Sequence, residues 1–297
     1  MTAIDRVLAG TIDLHCHSGP SPFPRRIDHV EALRQAQDAG MRAIVVKSHH
    51  HNTVMDLLAM APRLEGMTAD VFGGIALNNQ VGGINPHAVD LSLKLGGRIV
   101  WFPTISSGRH IEHHAAHPNL KFPKSSVELM ATDALDIFGE DGDLRPEVHS
   151  IINQIKEADA VLAGGHMDPE RITALMEAAK TAGLKRLLIN HPDFVVEADT
   201  KQVQRFVELG AVIEHSLCMY DEESSFYHWD VGSLVDRIEL VGPENTSLGS
   251  DLGQVGNPLP VDSYRKICGQ LLDSGFDEKQ VRMMTHDNPA RLLGIDD

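Results

Sequence analysis

The chain has 297 residues, 42% of them hydrophobic and 23% charged, with a formal net charge of −16. That balance suits a soluble globular protein with a sizeable core, and no apolar run approaches the roughly 18 residues needed to cross a bilayer. The acidic balance and the lack of a basic patch exclude nucleic acid as an expected partner.

The three cysteines, Cys16, Cys218 and Cys268, are odd in number and widely spaced, which argues against a disulfide framework. The N-terminal MTAIDRVLAG lacks a basic patch followed by an apolar segment, so no secretion signal is read and a cytoplasmic protein is expected. Short apolar runs alternate with amphipathic helical patterns along the whole chain. Strands are predicted at 11–15, 42–46, 71–76, 98–102, 161–163, 186–189, 211–213 and 246–248, and helices at 27–39, 53–61, 86–95, 145–158, 169–182, 200–209, 231–240 and 261–274. In the fifth helix Ile172, Leu175, Met176 and Ala179 share one face, and Pro169 after Asp168 makes a good start. Gly40, Gly96, Gly183, Gly210 and Gly275 each close a helical pattern.

Continuous apolar strands separated by helices imply a parallel sheet buried on both faces. Eight such units in this length imply a closed (β/α)₈ TIM barrel, which typically takes about 250 residues. The alternative, an open doubly wound sheet, lacks its phosphate loop, because the Gly-Gly pairs here fail the GxGxxG spacing. One domain over residues 1–297 is expected, with residues 104–144 as a lid-like insertion after strand four. The tail from Asp287 reads as an Asn288-capped, Pro289-started helix.

The stretch Asp13-Leu14-His15-Cys16-His17 ends the first strand. Regular alternation would put Asp13, His15 and His17 on one face and Leu14 and Cys16 on the other. Two convergent imidazoles suit a divalent metal, with Asp13 placed to orient one ring. Alone, such a pair reads equally as two hydrogen-bonded histidines. In a (β/α)₈ barrel, however, all strand C-termini open onto one catalytic face. That face would also receive Lys47 and His49 from strand two, His166 from strand five, His191 from strand six, Glu214 and His215 from strand seven, and Asp251 from strand eight. Six of eight strands thus deliver a titratable group to one rim. His50, His51 and His87 have no such placement and are read as surface residues, as are His110, His113, His114 and His117.

HxH after strand one, histidines after strands five and six, an aspartate after strand eight and the ending NPARLLG resemble the metal-dependent amidohydrolase superfamily over nearly the whole chain. The resemblance implies that His15, His17 and Asp251 hold one metal, that His166 is a ligand, and that His191 binds a second metal or touches substrate. The chain departs from the family's binuclear pattern at strand four, where Trp101-Phe102-Pro103-Thr104 offers no lysine. An atypical branch is therefore expected, with one or two divalent ions, zinc first and manganese or iron next.

Metal-assisted hydrolysis of a C–N or C–O bond in a small molecule follows, with Asp251 as ligand and proton shuttle. His191 or His215 would stabilise the oxyanion, and Lys47, His49 or Arg25 would hold a substrate carboxylate. Lys47 is read as an anion anchor ahead of a carbamate bridge or a salt-bridge partner of Glu214. The same resemblance covers non-hydrolytic decarboxylases and hydratases, and a likeness to histidinol-phosphatase-type enzymes adds a phosphoester hydrolase. Self-association into a homo-oligomer is expected, as for many barrels.

Overall fold

A computed structural model gives the fold and describes residues 2–295. The strands are β1 (Ile12–Cys16), β2 (Ala43–Val46), β3 (Asp70–Phe72), β4 (Gly74–Ala76), β5 (Ile99–Trp101), β6 (Val161–Ala163), β7 (Leu187–Asn190), β8 (Ala211–Ser216) and β9 (Thr246–Gly249). All pairings are parallel, in the orders β1-β2-β3 and β4-β5-β6-β7-β8-β9. The ring is drawn together past β9, where Asp251 N donates to His15 O and His17 N donates to Leu252 O, both at 2.7 Å. The molecule is a (β/α)₈ TIM barrel with an insertion after its fourth strand position.

One expected strand, 71–76, is two. The break falls at Gly73, where the start of the helix after β2 presses on the sheet. Thr53 Oγ1 accepts from Gly74 N at 3.0 Å, taking a donor that would otherwise serve the ladder. A Cβ at Gly73 would lie 2.9 Å from that same oxygen, so only glycine fits the approach.

The helices are α1 (Ala3–Leu8), α2 (His29–Asp38), α3 (Thr53–Leu64), α4 (Pro86–Lys94), α5 (Gly108–Ala116), α6 (Pro146–Glu157), α7 (Pro169–Ala182), α8 (Thr200–Glu208), α9 (Val231–Val241), α10 (Pro260–Asp273), α11 (Glu278–Arg282) and α12 (Asn288–Leu293). The fifth predicted helix is α7, residue for residue. Asp168 accepts from Arg171 N at its start, Ile172, Leu175, Met176 and Ala179 are buried, and Gly183 ends it at φ +90. None of the described helices is long and apolar enough to cross a membrane.

The strands bury both faces. Ile99, Trp101, Val161, Ala163, Leu188 and Val212 fill the barrel interior with Ile12 and Leu14, while Val100, Phe102, Leu162, Leu187, Ile189, Ala211 and Ile213 face the helices. Ala290, Leu292 and Leu293 of α12 close the interior from below. Asn288 is not a cap: the chain enters α12 from a π-helical turn, Met283–Asp287, so no free helix start exists. Its Nδ2 instead donates to the Pro243 and Thr246 carbonyls at 2.8 and 2.7 Å, tying the plug to β9. Within 104–144 lies α5, a helix that the sequence reading left out.

Candidate metal centre

The centre starts from an irregularity in β1. Asp13 pairs with Ile44 but Cys16 pairs with Val46, so three steps along β1 oppose two along β2. This bulge breaks the alternation expected for Asp13-Leu14-His15-Cys16-His17. Leu14 packs with Ile12 inside the barrel and Cys16 packs outward with Leu33 and Val46. Asp13 does not orient an imidazole: its carboxylate accepts from Ser250 N (2.9 Å), Ser250 Oγ (2.5 Å) and His15 N (3.0 Å). It thereby clamps the turn after β9 to the end of β1.

That clamp delivers Asp251 onto the two histidines. His15 Nε2 and His17 Nε2 lie 3.4 and 3.1 Å from Asp251 Oδ1. Among the described residues these three form a group whose ligand atoms all stand within 4.8 Å of one another. Tetrahedral bonds of about 2.0–2.1 Å place ligand atoms about 3.4 Å apart, so the donors fit a small divalent cation. Asp251 adopts φ +53, a left-handed conformation that costs a non-glycine residue about 1–3 kcal/mol and is characteristic of functional sites. Gly253 follows at φ +135, where a Cβ would strike the His17 carbonyl.

Both imidazoles are held by their far nitrogens. His17 Nδ1 donates to Lys47 O at 3.0 Å, and His15 Nδ1 donates to Glu214 Oε1 at 2.7 Å. Glu214 is fully buried, and Asn190 Nδ2 donates to the same oxygen at 2.8 Å. Each ring therefore turns Nε2 towards Asp251, and the carboxylate behind His15 raises the basicity of that nitrogen. Strand order alone places Glu214 at the rim; its hold on His15 comes from the register of β8. Burial alone would raise its carboxyl, yet His15, Asn190 and Lys47 more than offset that and hold it low. Burial pushes His17 down to about 3 and His191 down to about 4, so both are neutral near pH 7.

The other predicted site residues divide. His49, His166, His191 and Arg25 line one pocket with His15, His17 and Asp251, and His110, Phe122, Phe194 and Cys218 share its wall. His191 Nε2 stands 3.9 Å from Asp251 Oδ2, and the His166 and His191 rings are 4.9 Å apart, so both border the three-atom group without joining it. His49 Nδ1 lies 2.8 Å from Thr104 Oγ1. Lys47 is no wall residue. It is wholly buried, with Nζ 3.0 Å from His15 Nε2 and 5.3 Å from the Trp101 ring centre, because strand two aims it into the barrel. Its burial lowers it to about 8 despite the nearby Asp251 and Glu214.

His215 turns away from the pocket. Glu214 and His215 are adjacent on β8, so one faces in and the other out; Glu214 takes the interior, and His215 Nδ1 lies 3.6 Å from Asp193 Oδ2. The imidazole missed by sequence reasoning is His110, whose Nδ1 sits 3.0 Å from His166 Nδ1. Its signal was present: residues 110, 113, 114 and 117 follow the spacing of one helical face, and α5 buries His110 and His113. His50, read as surface, is buried edge-on against Phe23 at 4.6 Å.

A family profile described as a family of unknown function, DUF6282, matches residues 10–214. The chain belongs to the DUF6282 family. The matched stretch carries His15, His17, Lys47, His49, His110, His166, His191 and Glu214, while Asp251 lies beyond it. Nothing among the curated proteins matches the sequence of this DUF6282 chain. Solved structures share its fold. An amidohydrolase from Pseudomonas aeruginosa is 12% identical at a TM-score of 0.65, with 99% of this chain and 98% of that one covered. A metallopeptidase, dipeptidase AC, is 12% identical at 0.62, covering 96% and 98%. A mutant organophosphorus hydrolase from Deinococcus radiodurans is 14% identical at 0.57, covering 97% and 94%. The DUF6282 chain thus has the barrel seen in proteins bearing those names.

Proposed function

We propose that this chain is a metal-dependent hydrolase that cleaves a C–N or C–O bond, in an amide, cyclic amide, lactone or ester, of a small molecule. The observation that carries the reading is the convergence of His15 Nε2, His17 Nε2 and an Asp251 oxygen at one point of the pocket. The fold shared with an amidohydrolase, a dipeptidase and an organophosphorus hydrolase supports it. The donor set suits zinc first, and manganese or iron next. One cation per chain is the proposed stoichiometry; a second would draw on His166 and His191.

A cation held there supplies Lewis acidity, which lowers the pKa of water from 15.7 towards about 7 and polarises a carbonyl oxygen. Asp251 divides its two oxygens between tasks. Oδ1 faces the two ligand imidazoles, and Oδ2 faces His191 across the pocket. Oδ2 takes the proton from the attacking water and returns it to the leaving nitrogen or oxygen. His191, neutral and with Nε2 on the side of Asp251 Oδ2 at 3.9 Å, presents an N–H to the oxygen on which charge develops. Phe122 and Pro123 of the insertion form part of the pocket wall and limit the access of bulk water.

Metal analysis of protein purified without chelator is expected to find one equivalent. Asp251→Asn should keep part of that metal and lose about 10²–10⁴-fold in kcat, the range of general acid–base catalysis. Metal-free protein that cannot be reconstituted would sink the reading, and full activity in Asp251→Asn would remove Asp251 as the proton carrier. Turnover is expected on lactones, cyclic amides or aryl esters. Turnover confined to phosphate esters, or to carboxylated aromatics that lose or gain atoms without hydrolysis, would replace the hydrolase by a phosphatase or a lyase.

A further inference from the structure

The pocket that holds the proposed metal also holds Arg25, half-buried, with its guanidinium carbon 5.9 Å from the centre of the Phe23 ring. Arg25 Nε and Nη2 are buried, and among the described residues no atom accepts from either. The residue is fixed in place: its backbone bridges Gln254 in antiparallel fashion, and Arg26 N donates to Gly253 O at 2.8 Å. Burial lowers the guanidinium to about 10, which leaves it charged at neutral pH. A buried, charged donor pair left unmatched is costly and calls for an acceptor.

The rest of the molecule shows what such a pair takes. Arg6 places Nε and Nη2 on Glu278 at 2.9 and 2.6 Å, Arg171 places the same two nitrogens on Asp136 at 2.9 and 2.5 Å, and Arg186 places them on Asp159 at 3.0 and 2.6 Å. Each is a side-on fork gripping both oxygens of a carboxylate. At Arg25 the same two nitrogens meet no carboxylate of the described residues, and the side chain belongs to a pocket wall. Around it the wall is apolar and aromatic, with Phe23, Phe122, Phe194 and Phe226. Phe23 and Phe122 meet edge to face at 5.6 Å, so the wall beside the guanidinium offers aromatic faces to an apolar body.

We propose that the pocket takes a small carboxylic acid with an apolar, ring-shaped body, its carboxylate gripped side-on by Arg25 Nε and Nη2 and its ring lodged among the phenylalanines. The proposal rests on the hydrolase reading for the fate of the bound molecule, since the carboxylate is an anchor and a different bond faces His15, His17 and Asp251. A carboxylate matches the site better than a phosphate monoester, because one guanidinium meets one negative charge and the chain is itself acidic, at −16.

The test is binding of benzoate, benzamide and phenyl phosphate by calorimetry, on metal-loaded and metal-stripped protein, with metal content measured in every sample. Benzoate is expected to bind both forms and benzamide to bind at least tenfold more weakly, the worth of one charge-assisted contact at about 1.5–3 kcal/mol. Arg25→Met should lose about 30-fold in benzoate affinity and none in benzamide affinity, while Arg25→Lys, which keeps the charge without the fork, should fall between. Benzoate binding that is undetectable, that needs the metal but not Arg25, or that is matched by benzamide overturns the proposal, as does tighter binding of phenyl phosphate. Should Arg25→Met fail to fold, Arg25→Lys and the acid-against-amide comparison on the unaltered protein still decide. Arg25-dependent benzoate binding in a protein that takes up no metal would retain this proposal and sink the hydrolase reading alone.

Discussion

β1 and β8 each bring a histidine and a carboxylate to the same end of the barrel, and they place them by opposite means. On β8 alternation is kept. Val212 faces in, Ile213 out, Glu214 in and His215 out, so the carboxylate reaches the site and the imidazole is sent to Asp193. On β1 alternation is broken: the bulge lets Leu14 fill the interior and still turns His15 towards Asp251, while Asp13 is left to bind Ser250. The partners are then complementary, since Glu214 of the regular strand holds His15 of the irregular one at 2.7 Å. The proposed ligand His15 is thus made by two strands, one giving the ring and the other its orientation.

The largest effect expected from this contrast is on acid stability. His17 and His191 have folded values of about 3 and 4 against an ordinary 6.5, so below pH 6.5 the unfolded chain binds protons that the folded chain refuses. Stability of the metal-stripped protein is therefore full above that pH and lost as the pH falls, by about 1.4 kcal/mol per pH unit for each histidine. Urea midpoints at pH 7 and 5 measure it, and equal midpoints would mean that these rings are not held neutral.

Next comes the orienting carboxylate. Glu214→Gln should weaken metal affinity by about 10–100-fold with the fold intact, the usual cost of losing a ligand's hydrogen-bonded support. An unchanged affinity in a metal titration would detach Glu214 from the centre. Gly249 sits where the two strands' residues meet: a Cβ there would lie 2.9 Å from His15 Cβ and 2.8 Å from Glu214 Cδ. Gly249→Ala should cost about 1–3 kcal/mol of stability through overpacking, read from thermal unfolding, and should displace the pair. The smallest effect belongs to His215→Phe. His215 makes no hydrogen bond and only a 3.6 Å ion-pair contact with Asp193, which Arg237 also holds at 3.0 Å, so an apolar ring of similar shape should leave metal content unchanged and cost little stability. Loss of metal in that variant would bring His215 back to the centre.

Much of this was legible from residue patterns, and the failures have local causes. The strand runs were found because they are buried on both faces and so read as continuous apolar segments. That same continuity hid their phase: in AVIEHS, Val212 and Ile213 are equally apolar, so nothing in the run says whether Glu214 or His215 points in. In DLHCH the polar pattern fits plain alternation, and the bulge is set by the pairing with β2 and by the turn at Ser250 and Asp251, 235 residues away for His15. The helix α5 was overlooked because its buried face is made of histidines, which a search for apolar periodicity passes over.

The sequence by itself determined the barrel, the order of its units, and the set of imidazoles and carboxylates carried to one rim, because these follow from local periodicity and from the rule that parallel strands end together. Only the tertiary structure decided which of those groups meet. His15, His17 and Asp251 converge, Lys47 slips beneath them, His215 leaves, His110 arrives from the insertion, and Arg25 Nε and Nη2 meet no carboxylate of the described residues. Those outcomes depend on register, on which face of a strand is inside, and on hydrogen bonds between segments far apart in the chain, none of which a local pattern encodes.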